Sequence, residues 1–449
     1  MSFALNQFTG FGAGGVYVPP PTRDWFFSED KSLNDRIASM SVTHGRTGPV
    51  TGEYASYYDS SGNLVSVERL VPRYGHHVNG GASKGLTFGV TSNNAQPRSE
   101  TIGVTTGGAW TNTAVTFTTS AADILGRTGA AVKIKEDNTT DEHKTKGANI
   151  GIGSTGDYVA ASIYAKADDK DTVYFQANLG SGGQFGFFVD LSDGSIGDTI
   201  GTAPNAYGVQ DVGGGWYRLW LTGPTITDNT CSMSIGLSNG TTSGSEDYGG
   251  TTGVGCFIGC AHLVSFGVNG NGKSVPMYYG PTVTTLTDMG SDQFTITNDG
   301  IFTDEGTIFI DYYLEAHENL HTFYGISLRS GTAGAHLIST WGSQGTVFAR
   351  VTESSSIKFT DNNTHAGIPA SGVAGQFKLA LAYKVNDCQS AANGVAMPTQ
   401  TSVTPIPARP EIVFGKYAND VVGANGHIKR VSYYSQRLNE QQLIALTQV

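Results

Sequence analysis

Residues 172–191, TVYFQANLGSGGQFGFFVDL, carry the clearest secondary-structure signal of the chain. On either side of the central GSGG, apolar residues such as Val173, Phe175 and Ala177 alternate with polar ones. This period of two places successive side chains on opposite faces of a β-strand, and the glycines supply the positive φ that tight turns require. The stretch therefore predicts two short strands joined by a turn.

The same alternation recurs along most of the sequence. Between residues 100 and 275 it appears in segments such as AVTFTT, YVAASIYAKA, WYRLWLTG and CSMSIGLS. After a predicted linker at 270–282, a second set includes GTIFIDYYLEA, FYGISLRS, QFKLALAYKV and GHIKRVSYYS. Regularly spaced short strands are typical of sandwiches or barrels. We therefore predict an all-β chain with two β-sandwich domains, at 99–275 and 276–449.

The two ends of the chain depart from this pattern. Residues 435–448, SQRLNEQQLIALTQ, space Leu438, Leu443 and Leu446 as one short C-terminal helix would. Residues 1–25 place aromatic side chains among glycines and three consecutive prolines, which excludes a helix or a long central strand. We predict an extended arm that docks onto its own domain or a neighbouring subunit, with candidate anchoring residues Phe3, Phe8, Phe11, Tyr17 and Trp25. Residues 26–98 are predicted as a β-hairpin region and connector.

Composition narrows the function classes. Glycine makes up 61 of 449 residues, about twice the usual ~7%. The formal net charge is −11, whereas a nucleic-acid-binding protein usually carries basic patches. The sequence shows no leader and no apolar stretch of membrane-spanning length, so we expect neither secretion by a signal peptide nor a membrane span. The four cysteines are expected to be buried thiols.

Residues 317–321 spell H-E-x-x-H, the pattern of zinc proteases. Zinc binding by this pattern requires a helix, because two histidines four residues apart share a face only at a 3.6-residue period. Here TIFIDYYL precedes the pattern and TFYGISL follows it, and both are strand-like. We therefore expect His317 and His321 to lie in a connection between strands and to hold no zinc.

No other pattern indicates catalysis, and no enzymatic activity or cofactor is predicted. Glycoside hydrolysis needs two facing carboxylates, and the candidates are Asp304, Glu305, Asp311 and Glu315. Of these, Asp311 shares a face of its predicted strand with Phe309 and Tyr313, and one carboxylate on a strand either lines a cleft or is solvated. Acidic, glycine-bearing loops at 137–143, 190–198 and 298–306 could hold calcium or be solvated turns. Adjacent tyrosines occur in pairs, and a strand turns one ring of each pair outward. Tyr278, Tyr313 and Tyr434 are candidates for glycan or interface contacts.

Three stretches, in this order, resemble segments of phage virion proteins. Residues 57–77, YYDSSGNLVSVERLVPRYGHH, resemble a turn and x-Pro-Arg-x element near the start of such proteins. Residues 158–223 resemble the phage head-spike fibre domain, a jelly roll similar to carbohydrate-binding modules. The matching residues are Ser162, Tyr164, Lys166, Ala167, Phe188–Leu191, Gly194 and Gly215–Arg218. The strands GTIFIDYYLEAH and FKLALAYKVND and the C-terminal GHIKRVSYYSQRLNEQQLIALT resemble a laminin-G or concanavalin-like sandwich.

The resemblance implies a structural protein of a bacteriophage virion, assembled in the host cytoplasm. A capsid decoration, head spike or head fibre, displayed on the particle surface and anchored by its arm, is the first expectation. A tail fibre or tail appendage that binds host-surface glycans is the alternative, and a glycan depolymerase is a more remote one. The expected partners are other virion proteins and further copies in a homotrimer.

Overall fold

The computed structural model describes residues 16–26, 43–46, 54–61, 64–68, 73–76, 82–88, 92–151, 158–180, 183–225, 230–266, 279–280, 287–289, 292–297, 304–314, 322–330, 333–341, 346–353, 356–364, 375–402, 411–414 and 426–449. Before residue 100, these residues form β1 (Arg23–Trp25), β2 (Thr43–Arg46), β3 (Tyr54–Tyr58), β4 (Leu64–Glu68), β5 (Tyr74–His76), β6 (Ser83–Phe88) and β7 (Ser92–Asn94).

The middle of the chain contributes a short 3-10 turn (Thr106–Gly108) and a long series of strands. These are β8 (Trp110–Thr113), β9 (Val115–Thr119), β10 (Val132–Glu136), β11 (Thr140–Glu142), β12 (Lys144–Gly147), β13 (Ile150–Gly151), β14 (Tyr158–Lys166), β15 (Thr172–Asn178), β16 (Gln184–Asp190), β17 (Ser195–Gly201), β18 (Ala206–Asp211), β19 (Trp216–Thr225), β20 (Thr230–Leu237), β21 (Asp247–Gly249) and β22 (Gly255–Phe266).

The C-terminal part forms further strands and ends in a helix. These elements are β23 (Tyr279–Gly280), β24 (Thr287–Met289), β25 (Asp292–Thr297), β26 (Glu305–Leu314), β27 (Thr322–Ser330), β28 (Ala333–Trp341), β29 (Thr346–Glu353), β30 (Ser356–Thr364), β31 (Gly375–Lys384), β32 (Asp387–Ala392), β33 (Val395–Ala396), β34 (Glu411–Phe414), β35 (Gly426–Tyr434) and α1 (Glu440–Thr447).

The first sandwich consists of two antiparallel sheets. Sheet I has the order β18-β19-β14-β22-β10-β9, and sheet II has the order β17-β16-β15-β20-β12-β8, with β13 also paired to β20. The residues quoted at the start form β15 and β16, which pair from Thr172 with Asp190 to Asn178 with Gln184. Their inward side chains, including Phe175, Phe185 and Phe187, lie in one apolar core between the sheets.

Strand β14 is buried on both faces. Val159, Ala161, Ile163 and Ala165 point into the core between the sheets. Tyr164 points the other way, into a cluster with Tyr58, Leu64 and Trp216. The β3–β4 hairpin therefore packs on the outside of sheet I, and the Tyr58 and Tyr164 hydroxyls lie 3.2 Å apart.

The second sandwich contains strands from both ends of the chain. Sheet III has the order β33-β32-β31-β26-β35-β6-β5, with β1 also paired to β35, and sheet IV has the order β2-β25-β34-β27-β28-β29-β30. The Trp25 ring of sheet III meets the Phe414 ring of sheet IV at a centroid distance of 5.9 Å. The domain boundaries stay a prediction, but this pairing shows that β1, β2, β5 and β6 complete sheets built mainly from residues after 290.

Smaller pairings join the remaining strands. Strand β11 pairs with β21, β23 and β4 flank β3, and β24 pairs with β7. The predicted linker at 270–282 lies outside the described residues except for β23 (Tyr279–Gly280), which pairs with β3.

Helix α1 covers part of the outer face of sheet III. Asn439 begins it with a capping box, in which the Asn439 side chain accepts from Gln442 N at 3.0 Å and Gln442 Oε1 accepts from Asn439 N at 3.0 Å. Leu443 is buried against Phe309 and Tyr434. The predicted C-terminal helix and the all-β class with two sandwiches are confirmed. None of the helices in the described ranges has the length and apolar character needed to cross a membrane.

All four cysteines are buried thiols, as expected. Cys231 lies in β20, Cys256 and Cys260 in β22, and Cys388 in β32. Burial raises the pKa of Cys256 to about 12. This thiol therefore stays protonated and unreactive at neutral pH while the sandwich is closed.

Candidate functional site

An open groove of about 600 Å³ lies at the edge of the first sandwich, where sheet I ends in β9. This volume falls within the range usual for small-ligand sites, about 300–1,000 Å³. Its walls come from the loop before β8, from β9 and from the loop that leads into β10. The lining residues are Glu100, Thr101, Ile102, Gly103, Val104, Phe117, Thr118, Thr119, Arg127, Ala130 and Val132.

Hydrogen bonds fix the loop that forms one wall of the groove. Ala261 N donates to Ser99 O at 2.9 Å, and Asn112 Nδ2 donates to Gly103 O at 2.8 Å. Gly103 has φ +84°, and a Cβ at this position would come within 2.6 Å of the Phe117 ring. Glycine therefore lets the loop lie directly against the ring, which shapes the groove.

The floor of the groove is apolar. Ile102 and Val132 are nearly fully buried in the core of the sandwich, and the Phe117 ring packs against that core while remaining half-exposed. Val104 at the mouth is 37% exposed. A ligand in the groove would meet an aromatic ring and aliphatic side chains on one side.

The rim of the groove carries an ion-paired arginine. Arg127 Nη1 lies 2.6 Å from Glu100 Oε2, and Arg127 Nη2 lies 2.5 Å from Asp123 Oδ2. Burial opposes the charge of the guanidinium, but the hydrogen bonds to Asp123 and Glu100 outweigh burial and raise the pKa of Arg127. The Arg127 side chain stays 47% exposed, whereas those of Glu100 and Asp123 are 10% and 5% exposed. Glu100 and Arg127 therefore place an ion pair in the lining of the groove, and Asp123, which is not among the lining residues, holds Arg127 in position.

This combination suits a ligand with one apolar face and several hydroxyl groups. The accessible part of the Phe117 ring and the Val104 side chain can contact the C–H groups of a sugar, while its hydroxyls reach Arg127 and the threonine hydroxyls. Phe117 lies in AVTFTT, which the sequence predicted as a strand. No sequence pattern connects Phe117 with Glu100 and Arg127, because these two residues come from separate loops that meet only in the folded chain.

A second polar cluster surrounds Asp311 and Tyr313, on the outer face of sheet III. Gln376 Nε2 donates to both Asp311 carboxylate oxygens, at 2.8 and 3.0 Å, and Lys429 Nζ donates to Gln376 Oε1 at 3.1 Å. Lys84 Nζ lies 4.5 Å from the Tyr313 ring centroid. Burial raises the pKa of Asp311, although Lys429 and Gln376 oppose the shift. The two sequence candidates on β26 thus share a cluster, in which Lys84 lies over the half-buried Tyr313 ring.

The other tyrosine candidates do not form a site with Tyr313. Tyr434 is 3% exposed, and Tyr433 beside it is 2% exposed. The expectation that Tyr434 turns outward is corrected, because sheet IV covers one face of β35 and α1 with its neighbours covers the other. Tyr278 lies outside the described residues.

The candidate anchoring residues fall into three groups. Trp25 is 2% exposed in β1, where its ring packs inside the second sandwich of the same chain. This agrees with docking of the arm onto its own domain, one of the two alternatives that the sequence left open. Tyr17 is 59% exposed. Phe3, Phe8 and Phe11 lie outside the described residues, and anchoring to a virion stays a prediction.

His317 and His321 also lie outside the described residues. The chain enters this segment from β26, which ends at Leu314, and leaves it into β27, which begins at Thr322. Both flanking elements are strands, as the sequence predicted.

In two of the three acidic loops, aspartates bind nearby backbone. Asp137 Oδ1 accepts from Thr139 N at 2.9 Å, and Asp190 Oδ1 and Asp193 Oδ1 accept from Ser192 N and Ser195 N at 2.8 Å. Most of the third loop, 298–306, lies outside the described residues. Where the structure describes side chains, no group of three or more His, Cys, Asp or Glu residues is arranged to hold a metal ion.

Comparisons with known proteins give likenesses of structure over about one third of the chain. No family model and no curated protein matches it. The carbohydrate-binding module CBM40 of a Ruminococcus gnavus IT-sialidase, bound to α2,6-sialyllactose, aligns with 33% of this chain and 85% of its own at 18% identity and a TM-score of 0.28. The NanB sialidase of Streptococcus pneumoniae aligns with 34% of this chain and 26% of its own at 13% identity and a TM-score of 0.27. A solved receptor-binding domain aligns with 35% of this chain and 39% of its own at 16% identity and a TM-score of 0.29.

Proposed function

We propose that this protein is a non-enzymatic component of a bacteriophage particle surface and that it binds a host-surface glycan in the groove beside β9. The observation that carries the binding role is an open groove lined by the partly buried Phe117 ring and by the ion pair of Glu100 and Arg127. The three sequence resemblances support the phage assignment. Contacts with other virion proteins and a homotrimeric state belong to the same proposal.

The arrangement of the groove supports binding without catalysis. Glycoside hydrolysis requires one carboxyl group as a proton donor and a second as nucleophile or base, on opposite sides of the scissile bond. Glu100 and Asp123 both bind Arg127, at 2.6 and 2.5 Å, and so face the same guanidinium. Their geometry orients the arginine and does not span a substrate bond.

The glycan-binding role is tested with Val104→Asp on the full chain. Val104 is 37% exposed and lines the groove, so a carboxylate there costs little packing but places a charged, hydrated group where the apolar part of a sugar would make contact. On a glycan array, followed by titration of the best ligand, we expect wild-type binding and at least a tenfold loss in the variant, about 1.4 kcal/mol.

Ile196→Asp is the matched control for this experiment. Ile196 is 42% exposed on β17 of sheet II, so the control introduces the same charge at a similarly exposed apolar position outside the groove. We expect it to bind as wild type does. Equal loss in both variants, or no glycan bound by the wild type, would argue against the groove as a glycan site.

The location of the protein is tested separately from glycan binding. Mass spectrometry and antibody labelling of purified particles should find the chain on the particle surface, in a copy number set by the symmetry of its attachment site. A soluble glycan-binding protein absent from particles would contradict the virion assignment and leave the groove proposal standing.

A capsid-decoration role without glycan binding is the second candidate. Strand β1 binds by side-chain-specific contacts at an edge of sheet III, and such contacts suit an assembly element. Surface location combined with no glycan binding would favour this candidate.

A further inference from the structure

The positive charge in the groove beside β9 is already bound by two carboxylates. Among the lining residues that the structure describes, Arg127 is the one cation and Glu100 the one anion. Arg127 Nε donates to Asp123 Oδ2 at 2.6 Å, Arg127 Nη1 donates to Glu100 Oε2 at 2.6 Å, and Arg127 Nη2 lies 2.5 Å from Asp123 Oδ2. Each of the three guanidinium nitrogens thus faces a carboxylate, and two of the five N–H groups of the side chain are left for a ligand.

The chain holds Asp123 beside Arg127 whether or not a ligand is bound. Asp123 Oδ1 accepts from Arg127 N at 2.8 Å, and Asp123 N donates to Arg127 O at 3.2 Å. The side chains of Asp123 and Glu100 are only 5% and 10% exposed, so water screens their charges less than it would at the open surface. A ligand therefore meets the guanidinium together with both carboxylates.

The charges at this end of the groove sum to −1, from two carboxylates and one guanidinium. A carboxylate on a ligand would be attracted by Arg127 and repelled by Glu100 and Asp123, which lie within hydrogen-bond distance of the same guanidinium. Attraction and repulsion therefore largely cancel. The cost of removing water from the ligand's own charge remains, so a carboxylate gains nothing in return for its desolvation.

The neighbouring strand adds no spare positive charge opposite the groove. Lys133 of β10 pairs in register with Thr118, which lines the groove. Its Nζ lies 2.6 Å from Asp168 Oδ2 and 2.5 Å from Asp169 Oδ2, so this cation is also shared by two carboxylates. The threonine side chains in the lining are neutral donors and acceptors.

We propose that the groove selects uncharged sugars and rejects sugars that carry a carboxylate. This inference rests on the proposed glycan-binding function and adds the class of glycan. The hydroxyls of an uncharged sugar can use the two remaining N–H groups of Arg127 and the threonine hydroxyls without bringing a charge out of water. Glu100 is then the specificity-determining residue, because it lines the groove and supplies one of the two repelling charges.

The experiment compares glycans in pairs that differ at one position, where one member has a hydroxymethyl group and the other a carboxylate. Both members are titrated against the full wild-type chain and against Glu100→Gln. Glutamine keeps the shape of the side chain and an acceptor for Arg127, but it removes one negative charge and brings the local sum to zero. We expect wild type to bind the uncharged member at least tenfold more tightly, and Glu100→Gln to shift the ratio of the two affinities at least tenfold towards the carboxylated member.

Glu142→Gln is the matched control, because Glu142 lies in β11 outside the groove and pairs with Lys144. It should leave the ratio at the wild-type value, and circular dichroism verifies that both variants are folded. The wild-type ratio decides alone if Glu100→Gln does not fold. Wild type that prefers the carboxylated member, with binding lost in Val104→Asp, would overturn the selectivity and leave the groove as a glycan site. A ratio unchanged by Glu100→Gln would also overturn it, whereas binding of neither member would refute the glycan-binding function itself.

Discussion

Among single residues, Asp311 shows how burial in the second sandwich changes the pKa of a carboxyl group. Its carboxylate is half-buried on the outer face of sheet III and is held by Gln376. Burial raises its pKa above the ordinary value of 3.8, so the folded chain binds this proton more tightly than the unfolded chain does. The resulting stabilisation is complete below about pH 4 and is lost as the pH rises through the folded-state pKa.

We therefore expect Asp311→Asn to raise the free energy of unfolding at pH 7 and to have little effect at pH 3. At pH 7 the substitution removes a charge that the folded state disfavours, whereas at pH 3 the wild-type carboxyl is already neutral. Urea denaturation at both pH values measures the difference. Asp304→Asn is the control, because Asp304 is exposed just before the same strand. A variant less stable than wild type at pH 7 would show that the lysine neighbours outweigh burial.

The paired tyrosines show which side-chain positions the sequence predicts correctly and which it does not. Alternation along a strand correctly assigns opposite faces to Tyr312 and Tyr313, and the first is buried while the second is half-exposed. It fails for Tyr433 and Tyr434, both buried, because α1 packs over a face that the rule leaves open to solvent. Which face of a sheet receives a second layer depends on tertiary packing, and the local pattern carries no information about it.

At the scale of elements, α1 combines a local start signal with tertiary packing. The capping box of Asn439 and Gln442 satisfies backbone groups at the first turn, and Leu443 is buried on sheet III. Local signals of this kind made the helix predictable to within a few residues.

Asn439→Ala is expected to lower the free energy of unfolding by about 1 kcal/mol, the typical cost of losing an N-cap side chain. Gln441→Ala, an exposed substitution in the same turn, is expected to change it by less than about 0.5 kcal/mol. Chemical denaturation followed by circular dichroism compares the two. Equal effects would mean that the cap adds nothing beyond helix propensity.

The sequence predicts where many strands lie, but it does not predict which strands pair with one another. The segments that form β15, β16, β26 and β35 were all visible as alternating runs in the sequence. The pairing of Arg23 with Tyr433 joins residues 410 positions apart, and the groove joins Glu100, Phe117 and Arg127 from three separate elements. Alternation reports which side chains share a face and does not identify the neighbouring strand.

Across the full chain, the second sandwich depends on strands that come before the first sandwich in the sequence. Strands β1, β5 and β6 lie in sheet III, and β2 lies in sheet IV. A fragment of residues 276–449 lacks all four and exposes the edges of β35 and β25. Exposed strand edges favour aggregation.

We accordingly expect residues 92–266 to form a soluble, cooperatively unfolding sandwich when expressed alone, and residues 276–449 to aggregate. Adding the β3–β4 hairpin in a 54–266 fragment should raise the melting temperature by several degrees, because Tyr58 and Leu64 again cover Tyr164 and Trp216. Light scattering and thermal melting measure these outcomes. A soluble 276–449 fragment with a cooperative transition would contradict the dependence on N-terminal strands.

The four buried thiols can be used to follow unfolding of each sandwich, because they become reactive only when the protein around them opens. Cys231, Cys256 and Cys260 belong to the first sandwich and Cys388 to the second, so alkylation of each sulfur has to wait until its surroundings separate. Pulse labelling with iodoacetamide, followed by mass spectrometry of the peptides, would therefore measure when each sandwich unfolds without an engineered probe. The same seclusion keeps all four sulfurs out of reach of oxidants as long as the chain stays folded.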